Sequence, residues 1–331
     1  MTDKVFISTT GNGLSRASRS ASGEYAVEIL LAGSNVSCLA ADPLVSERAY
    51  AGTRDQGVLR SDDRGSTWRA AGLAGHFVKA IAASPTQRDV VYAGTKPASL
   101  FVSHDGGASW QELRAFQRIP GRRFWLSPAE MPFIGYVQAI ALSPTDPQRI
   151  VVGIEAGATV LSNDGGNTWT GHRPGSLRDC HSLFFHPVDG DWVYEGGGTG
   201  GGAAVSRDGG QTWTQPRDGL DRHYGWAVTA DPADPATWYV SLSPGPGKAH
   251  GGTDAQASIF RHDGAAWRRL AGGLPQPLAQ MPYALITEPD VAGSLYAGLG
   301  NGELWHSTDH GESWGQLPVR LSAIHRALII V

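Results

Sequence analysis

A seven-bladed, all-β propeller is the fold this sequence predicts, and three observations predict it. An acidic turn closed by tryptophan recurs as "SDDRGSTW", "SHDGGASW", "SNDGGNTW", "SRDGGQTW" and "STDHGESW", starting at Ser61, Ser103, Ser162, Ser206 and Ser307. A proline-ended apolar phrase recurs as "NVSCLAADP", "FVKAIAASP", "YVQAIALSP", "CHSLFFHP", "GWAVTADP" and "PYALITEP". The chain ends complement each other: "KVFISTTGNGLSRAS…EYAVEILLAG" reads as three strands lacking a first, and "IHRALIIV" reads as a first strand alone.

Each unit reads as four short strands, A to D. Strand A is the proline-ended phrase, and strand B is the run that follows it, such as "RAYAGT" or "SLYAGL". The acidic turn joins C to D. Units of about 40–50 residues with four strands are propeller blades. Six of them fill the chain from about Ser34 to Pro318, with Trp267 closing a shortened copy of the turn, "RHDGAAW". The two ends supply the seventh blade, so residues 1–331 are expected to form one domain. Composition agrees: 44 glycines, 20 prolines and 11 tryptophans with only 18% charged residues suit short strands and tight turns.

A net charge of -4 offers no basic surface for nucleic acid. No apolar run reaches the roughly 18 residues of a membrane span. The start, "MTDKVFISTTGNG", lacks a basic segment followed by an apolar one, and Cys38 and Cys180 are too few for a disulfide framework. A soluble, cytoplasmic protein is the expectation.

The recurring turn resembles the Asp-box, or bacterial neuraminidase repeat, whose pattern is Ser-x-Asp-x-Gly-x-Thr-Trp. The resemblance spans nearly the whole chain. It implies the propeller fold and leaves activity open, because sialidases, xyloglucanases, the sortilin receptor domain and a photosystem II assembly factor all carry such boxes. Asp63, Asp105, Asp164, Asp208 and Asp309 have a physical task that needs no substrate. Each can accept hydrogen bonds from its own turn, while the glycine takes a backbone angle other residues resist and the tryptophan buries its ring. They read as structural.

A site is expected on the opposite, D–A and B–C loop face, where the insertions collect: 114–135, 243–257 and the glycine run from Glu195. Aligning the A strands on their proline gives a column six residues earlier: Ser37, Lys79, Gln138, His181, Trp226 and Tyr283, with Arg326 from the closing strand. Two residues on, the column is apolar: Leu39, Ile81, Ile140, Leu183, Val228 and Leu285. A polar ring above an apolar one suits a small-molecule pocket at the mouth of a central channel.

Three chemistries fit this frame. The favoured one is glycosidase-like hydrolysis of a small polar or anionic molecule, carbohydrate first. In it His181 and Tyr283 are acid–base groups and Glu155 (or, beside it, Glu195) is the carboxyl partner. Lys79, Arg54, Arg178 and Arg326 hold negative charge, and Gln138, Trp226, His223 and Tyr224 line the pocket. A sialidase-like "RIP" stands after the second box rather than before the first, and sialidases have six blades, so sialidase itself is disfavoured. The second chemistry uses a divalent metal held by top-face histidines, His76, His181, His223 and His250, although the hydrolase reading requires no cofactor. The third has no chemistry: a protein partner docks on the top face, with "RRFW" at Arg122–Trp125 as its anchor.

Overall fold

The computed structural model describes residues 4–20 and 22–331; the opening Met1–Asp3 of the start read above and Ala21 lie outside the described residues. Seven antiparallel sheets stand in a ring. Blade 1 is Val36–Ala41, Ala49–Thr53, Val58–Ser61 and Arg69–Ala70, and blade 2 is Phe77–Ala83, Val91–Lys96, Leu100–Ser103 and Gln111–Glu112. Blade 3 (Val137–Leu142, Ile150–Ile154, Thr159–Ser162) and blade 4 (Cys180–Phe185, Val193–Gly197, Ala203–Ser206) follow. Blade 5 comprises Tyr224–Asp231, Asp234–Ser243, Ser258–Asp263 and Trp267–Leu270; blade 6 comprises Pro282–Thr287, Leu295–Leu299, Glu303–Ser307 and Gly315–Arg320. Blade 7 is Leu328–Ile330 paired with Phe6–Thr9, then Leu14–Arg19 and Tyr25–Leu30, so the chain ends close the ring as their sequences implied.

Blades 3 and 4 depart from the four-strand expectation, with three strands each. Their outer position is reduced to short contacts, Thr170 N–H to Leu161 O in blade 3 and the Val205–Thr214 bridge in blade 4. Pro174 and Pro216 follow within a few residues, and a proline cannot donate to a ladder. The edge ends there.

Between blades the cores are apolar. One cluster joins Tyr239, Leu270, Leu295 and Trp314, and another joins Leu100, Phe116, Ile150 and Val160. The acidic turns pin the outer ends. In the box at Ser162, Asp164 Oδ1 accepts the Thr168 N–H at 2.8 Å, its Oδ2 accepts the Thr168 hydroxyl at 2.6 Å, and Ser162 Oγ accepts the Gly166 N–H at 2.8 Å. Trp169 Nε1–H then bonds Gly166 O at 3.0 Å, and the same pattern holds at Asp63, Asp105, Asp208 and Asp309. Every accepting atom of these aspartates faces its own turn. Among the described residues, no helix is long and apolar enough to cross a membrane.

Candidate functional site

The A strands run down the wall of the central channel, and six of them break register at one place. The pairing skips between Val36 and Cys38, Val78 and Ala80, Val137 and Ala139, Cys180 and Ser182, Gly225 and Val228, and Pro282 and Ala284. The skipped residues are Ser37, Lys79, Gln138, His181, Trp226 (with Ala227) and Tyr283, the polar column read from the sequence. A bulged residue leaves the ladder and its side chain is re-aimed. In blade 7 the same place is held by Arg326, whose φ of 80° lies in the left-handed region that a non-glycine residue rarely takes. Beneath this ring a cavity of about 430 Å³ is lined by Leu39, Leu183, Val228 and Leu285 below His181, Trp226, Tyr283 and Arg326.

Three carboxyls and three cations gather at its mouth. Glu155 follows strand B of blade 3, Asp179 precedes strand A of blade 4, and Glu130 descends from the 114–135 insertion. Lys79 Nζ donates to Glu130 Oε1 at 2.9 Å, and Lys96 Nζ donates to the Glu130 carbonyl at 2.9 Å. Both ammonium groups stand over the Tyr136 ring, at 4.3 and 5.5 Å. Burial pulls the Lys79 ammonium down, with Glu130 opposing and Arg326 assisting. The third cation, Arg326, lies 5.8 Å from the Trp226 ring centroid.

His181 stacks on Trp226 at 4.6 Å, and its Nδ1 stands 2.6 Å from the Gly225 carbonyl. A carbonyl only accepts, so Nδ1 carries the proton. Burial lowers the imidazole's pKa and keeps the ring neutral, so Nε2 presents a lone pair. That lone pair faces Asp179 Oδ2 at 3.7 Å and Glu155 Oε2 at 3.9 Å. Burial, then repulsion from Asp179, pushes the Glu155 carboxyl up to about 8. Glu155, Asp179 and His181 are the group among the described residues whose ligand atoms all lie within 4.8 Å of one another.

The other wall is an aromatic relay. Tyr224 Oη and His250 Nε2 are 2.8 Å apart, His250 Nδ1 and Tyr283 Oη are 2.8 Å apart, and Tyr283 also donates to Ala249 O at 3.2 Å. A short helix, Pro246–Ala249 in the 243–257 insertion, brings His250 over the two tyrosines. Partial burial, with the field of Arg326, lowers His250 to about 4 and leaves it neutral.

Of the sequence-derived candidates, the structure brings together His181, Glu155, Tyr283, Lys79, Trp226, Tyr224, Arg326 and His250, with Gln138 one bulge away, its amide donating to His181 O at 3.3 Å. Others stand apart. Arg54 is exposed against the Phe77 ring, His76 is exposed against Phe101, and His223 is exposed in its loop. Arg178 opens into a separate groove of about 570 Å³ with Phe124, Trp125, His172 and Asp179. Glu195 is fully buried within blade 4, holding Thr159 Oγ1 and the Leu177 N–H at 2.6 and 2.8 Å. It therefore cannot meet a ligand.

The "RRFW" anchor also needs correction. Trp125 is buried against Phe116, and Arg122 reaches the Ala98 carbonyl. The exposed apolar side chains of that insertion are Phe124, Leu126, Met131 and Phe133. Sequence reasoning missed Glu130 and Tyr136 and gave Asp179 no role. One signal for Asp179 was present: a Cβ on Gly198 would stand 2.0 Å from Asp179 Oδ2, so the glycine run exists where backbone passes this carboxyl.

Comparison with known proteins identifies the repeat and the fold. The BNR/Asp-box repeat family matches residues 204–215, and no curated protein matches the sequence. Among solved structures, the GH74 xyloglucanase from Xanthomonas campestris is 21% identical with a TM-score of 0.61, over 85% of this chain and 45% of that one. The Niastella koreensis GH74 enzyme is 15% identical with a TM-score of 0.65, over 97% and 65%. YCF48 bound to D1 peptide is 14% identical with a TM-score of 0.57, over 85% and 80%. The chain thus spans less than half the length of the Xanthomonas enzyme. At such identities the likeness is one of fold. The chain folds as a seven-bladed β-propeller, and its repeat at 204–215 matches the BNR/Asp-box family.

Proposed function

We propose that the top-centre pocket binds and hydrolyses a small anionic molecule, with an acid sugar or its glycoside as the first class. One observation carries this reading: Glu155, buried and raised to about 8, faces Asp179 and His181 at the mouth of the pocket, beside Arg326 and the Glu130-paired lysines. A carboxyl near neutral pKa is a competent general base toward water, and Asp179 and His181 stand ready to orient that water. Arg326, Lys79 and Lys96 suit a carboxylate or phosphate on the substrate. Trp226, Tyr224 and Tyr283 suit the face of a sugar ring. That xyloglucanases share the fold supports a carbohydrate by analogy alone.

The test is turnover of a panel of chromogenic glycosides, glycuronides and phosphomonoesters. Glu155→Gln should lose about 100-fold or more of any activity found. A wild-type activity that survives intact in Glu155→Gln would remove this carboxyl from the reaction.

A second reading rests on a different observation. Phe124, Leu126, Met131 and Phe133 are 69, 58, 70 and 54% exposed within one insertion beside the 570 Å³ groove. An apolar patch of this kind suits a peptide, as a YCF48 propeller binds its D1 peptide. Replacing Phe124 and Phe133 by serine should abolish peptide capture and leave turnover unchanged.

A further inference from the structure

We propose that Glu155 Oε2, Asp179 Oδ2 and His181 Nε2 are three ligands of a divalent transition-metal ion, with its remaining positions open to the top-centre pocket. The inference rests on the hydrolytic reading above and changes the agent that activates the water from the Glu155 carboxyl to an ion that Glu155 helps to hold. One lone-pair atom from each of these three side chains converges on one point. Nε2 stands 3.7 Å from Asp179 Oδ2 and 3.9 Å from Glu155 Oε2, distances too long for hydrogen bonds. A point between them lies roughly 2.1–2.5 Å from all three atoms, the range of metal bonds to imidazole nitrogen and carboxylate oxygen.

The partners of these groups agree. The His181 side chain is 2% exposed, and its other nitrogen donates to the Gly225 carbonyl at 2.6 Å. A backbone carbonyl in that role fixes tautomer and ring angle for a metal-binding histidine. The Glu155 side chain is 10% exposed, and among the described residues no donor hydrogen-bonds its carboxyl. Its lone pairs are therefore free to take a cation at this point. Asp179 Oδ1 accepts the Ala156 N–H at 3.3 Å, which turns Oδ2 toward the other two ligands.

The donor set narrows the ion. One imidazole and two carboxylates suit Mn²⁺, Co²⁺ or Zn²⁺ better than Ca²⁺, which takes six to eight oxygens. Charge narrows the substrate. Lys79, Lys96 and Arg326 balance Glu130, Glu155 and Asp179, so a dication leaves the pocket positive, as an anionic substrate needs. Water on the ion would lose its proton near neutral pH and attack the substrate's ester, glycosidic or phosphoryl centre; the leaving oxygen takes up a proton, so one water is consumed and one bond cleaved.

The test uses the full-length protein, stripped with EDTA and titrated with Co²⁺, read by d–d absorption and by melting temperature. One Co²⁺ per chain is expected, with its affinity lowered at least about 100-fold in Glu155→Gln and in His181→Ala. Glu155→Gln preserves shape and keeps the test valid if His181→Ala does not fold. No Co²⁺ uptake by wild type at millimolar metal, or uptake unchanged in both variants, overturns the site. Turnover that persists in EDTA also overturns it while sparing the hydrolase reading, whereas stoichiometric Co²⁺ binding without turnover on any substrate sinks that reading and spares the site.

Discussion

Lys79 and Glu130 meet at 2.9 Å across 51 residues of chain, one from the wall of the channel and the other from an insertion between blades. The contact makes the insertion part of the pocket's mouth. Lys96 shares the same carboxylate, so Glu130 neutralises two ammonium groups that are almost wholly buried.

Removing that carboxylate strands both lysines. Losing one partner of a buried pair costs about 3–5 kcal/mol, and Glu130 is partly open, so Glu130→Gln should destabilise by about 2 kcal/mol. Urea denaturation measures it, and a cost below about 0.5 kcal/mol would show that the insertion is not anchored this way.

Glu195 gives a pH dependence of definite sign. Burial raises its carboxyl to about 7, well above its ordinary value. A group raised on folding contributes stability that is complete at low pH and lost as pH rises through the folded value, here between about pH 4.5 and 7. The loss is on the order of 3 kcal/mol. Glu195→Gln, which keeps partners for Thr159 and Leu177, should flatten the fall seen in melts across that range. An unchanged slope would mean Glu195 ionises without penalty.

The Asp-boxes act in the opposite direction. Hydrogen bonds from Ser109 and Ser313 hold Asp105 and Asp309 down to about 2. Depressed groups stabilise above their unfolded pKa, so this contribution should fade as pH drops from about 4 to 2. Asp164→Ala should cost about 1 kcal/mol and leave ligand binding untouched. A melting temperature flat down to pH 2, or lost binding in Asp164→Ala, would contradict the structural role.

Two neighbours in the insertion should separate cleanly. Trp125→Ala should destabilise by about 3 kcal/mol because the ring is packed on Phe116, and Phe124→Ala should change stability by less than about 0.5 kcal/mol because its ring stands in solvent. Equal costs would mean the insertion is packed differently.

The channel ring was legible because repetition makes the A strands comparable, so one offset from a proline finds all six bulges, from Ser37 to Tyr283, and alignment of the closing strand adds Arg326. The acidic turns were legible for the same reason. What repetition does not encode was hidden: the depth of Glu130, the burial of Trp125 and the convergence of Asp179 on His181 all depend on unique loops. Arg54, Lys96 and Glu155 hold equivalent places after strand B, yet Arg54 is exposed and the other two are buried. Loops over each blade decide that, and their paths carry no period.

In the proposed function, the top-centre pocket recognises negative charge through Arg326. The direct measurement is a thermal-shift panel of sugars, sugar acids and phosphoesters on wild type and on Arg326→Gln. A ligand at 100 times its Kd contributes about 2.7 kcal/mol, which for a chain of this size raises Tm by roughly two degrees or more. An acidic ligand should produce such a rise in wild type and lose it in Arg326→Gln. A rise of equal size in both proteins, or with neutral sugars alone, would contradict it.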